Sequence, residues 1–188
     1  MLNRITRHER IIKDRAIVAD DWAVLRLDEG EDAATAAVPE GKVIVPLAVW
    51  QAQKAALAAR RPLGVWIAAG ERPEVLKGEL DHFDVVAVDF PKFSDGRGMS
   101  IAYNLRQRLG WSGELRAIGD VLRDQLFSMQ RVGFNAFATR PDRKIEDALL
   151  GLTVFSEVYS ASVDIKQPLF RRVVRGTQPE FNDIGAEI

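Results

Sequence analysis

Cysteine is absent from the 188 residues, and histidine occurs only twice, as His8 and His82. The first absence excludes disulfides, cysteine nucleophiles, thiolate zinc sites and protein-ligated iron–sulfur clusters. The two histidines stand far apart with no acidic pair at helical ligand spacing, so no metal site is predicted, and no motif identifies a cofactor. No apolar run approaches the ~18 residues of a membrane span. The N-terminal stretch MLNRITRHERIIKD has no signal-peptide apolar core, so the expected location is the cytoplasm. An excess of one charge is lacking too: the formal net charge is −1, which gives no bulk attraction to nucleic acid or an anionic membrane. Arginine outnumbers lysine 19 to 7, and arginine is the better fork for oxyanions.

What is present is a βα alternation. Residues 1–40 read as a solvated N-terminal arm with two short strand-like pieces, RAIVAD and WAVLRL, and an acidic, alanine-rich loop. From residue 41 to 164 five apolar, β-branched runs (near 43–46, 63–68, 84–89, 115–119 and 134–138) alternate with helical segments. The helical segments are AVWQAQKAALAARR, ERPEVLKGEL, SIAYNLRQRLG, VLRDQLFSMQRVG and KIEDALLGLTVFSEVY. Strands apolar on both faces and separated by single helices predict a parallel sheet covered by helices. Five units are too few for a closed eight-fold barrel, so the expected architecture is one α/β domain, an open sheet or an incomplete TIM-like barrel. Residues 165–188 read as a C-terminal tail without periodicity.

In such a sheet a ligand binds beyond the carboxyl ends of the strands. Four consecutive loops deliver charges of both signs there, among them Asp89, Asp95, Arg97, Asp120, Arg123 and Arg140. Asp89, Asp120 and Arg123 are the candidate catalytic side chains. Asp89 ends an apolar strand, where a buried carboxylate needs a partner such as Arg97 or Arg123. Asp120 also reads as a helix cap. The loop SDGRG, residues 94–98, supports two readings. Asp-Gly can simply make a turn, with Gly98 for packing and a serine as cap. Alternatively Gly96 and Gly98 adopt positive φ, and the N–H groups of residues 96–98 form an anion nest at a helix start, closed by Arg97 with Arg123 and Arg140. The second is the expectation taken forward, for an oxyanion or a nucleotide. The loop matches neither the P-loop nor the dinucleotide fingerprint. Tyr103 and Arg106 share one helix face, His82 reads as a surface residue, and Trp50 and Trp66 read as core.

The stretch DFPKFSDGRGMSIAYNLRQRLGWSGELRAIGDVLRDQLFSMQRVGFNAFATR, residues 89–140, resembles the core of a bacterial domain-of-unknown-function family, number 934. FPKFSDGRG, GDVLRDQ and MQRVGF carry the resemblance, which extends more loosely over residues 40–160. Members of that family are described as oxidoreductases involved in sulfite reduction, with genes beside those of assimilatory sulfate reduction. The resemblance therefore implies a role in assimilatory sulfite reduction, either as an accessory with sulfite reductase as its partner or as an oxidoreductase; a non-catalytic sensor of a sulfur oxyanion or nucleotide is the alternative reading. It brings no catalytic residues with it.

Overall fold

The computed structural model describes residues 5–172. Its nine strands form a single mixed sheet. Four come from the N-terminal segment: β1 (Ile5–Arg7), β2 (Arg10–Lys13), β3 (Ala16–Ala19) and β4 (Ala23–Leu25). Then come β5 (Val43–Pro46), helix α1 (Leu47–Leu57), β6 (Leu63–Ile67), two 3-10 turns and β7 (Val85–Phe90). Helix α2 (Arg97–Gln107), β8 (Glu114–Gly119), α3 (Arg123–Arg131), β9 (Ala136–Phe137), α4 (Ile145–Leu149) and α5 (Leu169–Arg172) complete the order.

The five expected strands are all present, parallel and in sequence order, because each is a β-branched or alanine-rich run buried on both faces. Two helical expectations shorten. ERPEVLKGEL forms only 3-10 turns at Pro73–Leu76 and Leu80–His82, with Gly78 at φ +79 between them, where a helix cannot continue. The last helix stops at Leu149 and passes into a 3-10 turn, Leu150–Thr153. Residues 173–188 of the expected tail lie outside the described residues.

The larger correction concerns the N-terminal segment, which is part of the sheet rather than a solvated arm. β4 extends the parallel set by pairing with β5, and β1 pairs antiparallel with β4. At the opposite edge β2 pairs antiparallel with β9, and β3 pairs with β2. Only His8 and Glu9 separate β1 from β2. Arg7 and Arg10 are three Cα steps apart, roughly 11 Å at full extension. Strands at opposite ends of the sheet are therefore held close together, and a nine-stranded sheet can satisfy that only by curling into a half-barrel. The strand-like pieces RAIVAD and WAVLRL did become β3 and β4, but their place in the sheet was illegible, because the strands of this segment are three or four residues long and have partners up to 125 positions away.

Two apolar layers result. The convex layer packs strand residues such as Val45, Val65, Val86 and Leu115 against Trp50, Leu105, Leu126 and Met129 of the helices. The concave layer is made of sheet residues without helices, including Ile11, Trp22, Val24, Ile44, Val85 and Ile118. Ile11 and Ile12, neighbours in β2, point into different layers, as strand alternation requires. No helix among the described residues is long and apolar enough to cross a membrane.

If the N-terminal ribbon closes the sheet, its core residues contribute as core residues do. Ile12 is fully buried, so Ile12→Ala should cost about 2–5 kcal/mol in urea unfolding. A loss under about 0.5 kcal/mol, the usual scale for a surface position, would return the ribbon to the status of an appendage.

Candidate functional site

The concave face carries charge. Arg116, at the middle of β8, is 2% exposed. Its guanidinium donates to both carboxylate oxygens of Asp20 at 3.0 and 3.1 Å and to Glu114 at 2.7 Å, while Lys13 pairs with Glu114 at 2.8 Å. Room for Arg116 comes from the residues beside it in register, Ala87 on β7 and Ala136 on β9. Ala87 also lies beside Trp66 of β6. Large and small side chains thus alternate across the curl.

Nearer the carboxyl ends of the strands, Asp89 accepts two hydrogen bonds from Arg26, at 2.6 and 3.3 Å. The Arg26 guanidinium lies 5.2 Å from the Trp66 ring centroid, and the Trp66 indole N–H donates to the Leu25 carbonyl at 2.8 Å. The partner of Asp89 is therefore Arg26, just beyond β4, and neither Arg97 nor Arg123. Trp66 is half-buried on the concave face rather than a core residue. Gly119 closes the site from below: its φ is +94, and a Cβ there would collide with the Phe90 carbonyl and reach 2.8 Å from Asp89 Oδ1.

A cleft of about 710 Å³ opens at this edge between the N-terminal ribbon and the ends of β4, β8 and β9. Six cationic side chains line it, Arg7, Arg10, Arg26, Arg140, Arg143 and Lys144, against two carboxylates, Glu9 and Glu146. Arg10 pairs with Glu146 at 2.7 Å, and Arg140 pairs with Asp120 at 3.1 Å and Asp142 at 2.8 Å. Arg7 has no carboxylate partner among the described residues, and Lys144 makes no ion pair but lies close enough to Glu146 to help lower its pKa. His8, in the two-residue joint, also lines the cleft. Burial, the largest cause, lowers its pKa below the usual 6.5; Asp20 opposes this, and Arg116 and Arg26 add to the lowering.

Only Arg140 of the expected anion cluster reaches this cleft. The nest geometry at residues 96–98 is absent. Gly96 has φ −82, and Gly98 is not among the positive-φ glycines; it lies in the first turn of α2, where a Cβ would meet the Phe90 ring at 2.6 Å. The Arg97 backbone N–H donates to Asp95 Oδ1 at 3.1 Å, and the Arg97 side chain binds both Asp95 oxygens at 3.0 and 2.7 Å. Asp95 thus occupies the position an anion would take. Its side-chain bonds from Arg97, followed by the backbone bond, hold its pKa at about 2. Arg123 turns to Asp147 of α4 at 2.6 Å and lines a different, smaller hollow with Phe127 and Phe155. Asp120 does not cap α3. It accepts from the Phe93 N–H at 2.8 Å and from Arg140, while Gln125 accepts from the Leu122 N–H at 3.0 Å at the helix start. Arg106 is structural, its guanidinium donating to the carbonyls of Trp111, Gly113 and Gly133. His82 packs on Trp50 with ring centroids 5.2 Å apart.

His8 and Arg26 are among the site residues the sequence left hidden, with Arg7, Arg10 and Lys144 of the same cleft. Arg26 follows an apolar strand-like run in the same way as Asp89 ends one, so the same placement rule would have found it. His8 carried no such signal. Among the described residues no group of three His, Asp or Glu side chains could hold a metal ion.

The chain belongs to the family described as a bacterial protein of unknown function, DUF934, which it matches over residues 64–170. That span holds β6 to β9 and the cleft walls they supply; the ribbon with His8 and Arg26 precedes it. No curated protein matches the chain.

His8 makes stability depend on pH. Its folded pKa lies below its unfolded value, so the unfolded chain binds the proton more readily. His8 therefore has no such effect above about pH 6.5 and destabilises the fold as pH falls through 6.5 toward the lower folded value. Thermal unfolding of wild type and His8→Asn between pH 8 and 5 should show the wild type losing more stability over that range. Parallel curves would mean that His8 is solvated.

Proposed function

We propose that the protein binds a small oxyanion, such as sulfite, sulfate or phosphate, in the cleft at the carboxyl end of the sheet, and that it serves assimilatory sulfate and sulfite reduction through this site. The observation that carries the binding is the lining: six cationic side chains against two carboxylates, with Arg7 outside any ion pair and Lys144 sharing Glu146 with Arg10 at longer range. The pathway rests on the family resemblance alone, and sulfite reductase is the partner it suggests. The site stands apart from the SDGRG loop, where Asp95 already takes the backbone and side-chain donors of Arg97.

His8 favours a reading beyond passive binding. A half-buried imidazole kept neutral near pH 7, in a cleft able to hold an anion, can accept a proton from a bound acid and, once protonated, return it. Under this reading the cleft is an active site, His8 the proton carrier, and Arg26 and Arg140 the groups that orient the anion. A non-catalytic sensor would use the same cations without needing His8.

Calorimetric titration with sulfite, sulfate and phosphate tests the binding. A charge-assisted hydrogen bond to such a group is worth roughly 1.5–3 kcal/mol. The double variant Arg7→Ala/Lys144→Ala should therefore weaken binding about tenfold or more, while Arg97→Ala leaves it within about twofold. The reverse ranking would move the site to the SDGRG loop, and no binding by wild type would remove it. Deletion of the gene tests the pathway. The deletion strain should grow on sulfide but poorly on sulfate or sulfite; equal growth on all three would separate the protein from sulfite reduction.

A further inference from the structure

A second hollow adjoins the cationic cleft and shares a wall with it. About 270 Å³ in volume, it lies over the ends of β4, β5 and β6, lined by Arg26, Leu27, Pro46, Ala48, Trp66 and Ala68, with Glu71 at its rim. Its wall is otherwise apolar. Glu71 is already engaged, accepting the Ala68 N–H at 2.6 Å. Arg26 belongs to both hollows and is the partition between them. It is held there from two sides, by the carboxylate of Asp89 and by the Trp66 ring. On one side of this fixed guanidinium lies a basic cleft, and on the other an aromatic and aliphatic recess.

From this adjacency we infer that the ligand is not a bare inorganic anion but a molecule joining a flat, largely apolar ring to an oxyanion, of which a nucleoside monophosphate is the simplest form. The inference rests on the oxyanion reading of the cleft and deepens it. The anionic group sits among Arg140, Arg7 and Lys144. The ring enters the recess against Trp66, Leu27 and Pro46, and Arg26 lies between the two parts. There its charge faces the anion, and the ligand ring extends the stack that Arg26 already makes with Trp66, the two uses to which guanidinium is best suited. A recess of this kind adds affinity by stacking and by removing apolar surface from water, without reading the ring's hydrogen-bonding edges. Selectivity among bases is therefore expected to be low.

The test compares inorganic phosphate with AMP by calorimetric titration, on wild type and on Ala48→Leu. Ala48 is exposed in the first turn of α1 and lines the recess but not the cleft, so a leucine there fills the recess without entering the core. AMP should bind wild type roughly tenfold or more tightly than phosphate, the scale of one stacked ring. In Ala48→Leu that preference should vanish while phosphate affinity stays unchanged, which also reports that the fold is intact. Equal affinity of wild type for the two ligands overturns the inference and leaves the oxyanion reading standing. An AMP preference that survives in Ala48→Leu places the ring elsewhere and overturns it as well. Binding of neither ligand removes both readings together.

Discussion

The joint His8–Glu9 is the constraint on which the remaining architecture depends. The strand before it is hydrogen-bonded to one end of the parallel set and the strand after it to the other. A flat arrangement would place those ends several strand spacings apart, each about 4.8 Å; two residues cannot bridge that distance. The curl is therefore imposed by connectivity as well as by the twist natural to any sheet. A further bond reinforces it: Asp20, just past β3, holds the guanidinium of Arg116 at the centre of the sheet, 96 positions away in sequence. The curl creates a concave face, and the concave face creates both the cleft and the partly water-excluded position of His8.

Charge on that face is an unusual way to fill the inside of a curled sheet. A lone buried guanidinium would be costly, and even a paired one gains little over an apolar residue of the same volume. Arg116 is tolerated because its donors meet two carboxylates in good geometry, and because Lys13 neutralises what Glu114 adds. Among the described residues the one fully buried side-chain polar atom without a partner is Arg172 Nε, far from this face in sequence. The ion pairs add register: sliding β8 by one residue would turn Arg116 toward the helices and Leu115 toward the carboxylates. The arrangement thus ties the ribbon to one alignment of the sheet, which in turn fixes where Arg26 and Asp89 meet.

The sequence showed five of the six parallel strands to within two residues, since each is a local run whose composition permits little else. VVAVDF, for example, is buried throughout, and it became β7. The edge of the sheet that would hold a site was legible for the same reason: topology decides it. Pairings between distant segments were not legible. Asp89 visibly needed a cation, but several arginines were available, and the one chosen lies 63 positions earlier in a segment of weak signal. The SDGRG loop misled because glycine has two uses. Gly98 is there because the Phe90 ring lies against it, a contact the sequence cannot show, and not for positive φ. The aspartate preceding Gly96 turned out to be the anion of the loop.

Pairing also shapes what the cleft can hold. Arg10, Arg26 and Arg140 each carry a carboxylate within 3.1 Å, so they contribute orientation and hydrogen-bond donors more than net charge. Arg7 and Lys144, both exposed, supply the charge that lies outside any ion pair. On the proposed reading, an anion would be attracted by these two side chains over a range that salt shortens to about 8–10 Å. It then meets guanidinium groups already held in place, whose ordering cost was met on folding. Their remaining N–H groups point from fixed planes, whereas free arginines would have to be immobilised by the ligand itself. The carboxylates that fix these planes also repel an anion, so the arrangement trades affinity for geometry. Neutral His8 suits that balance. A permanently charged group in its place would add to the repulsion among Arg26, Arg116 and Arg140 in the free protein. An imidazole stays neutral until the pH falls or, on the proposed reading, until a bound anion offsets the burial and the arginines that lower its pKa.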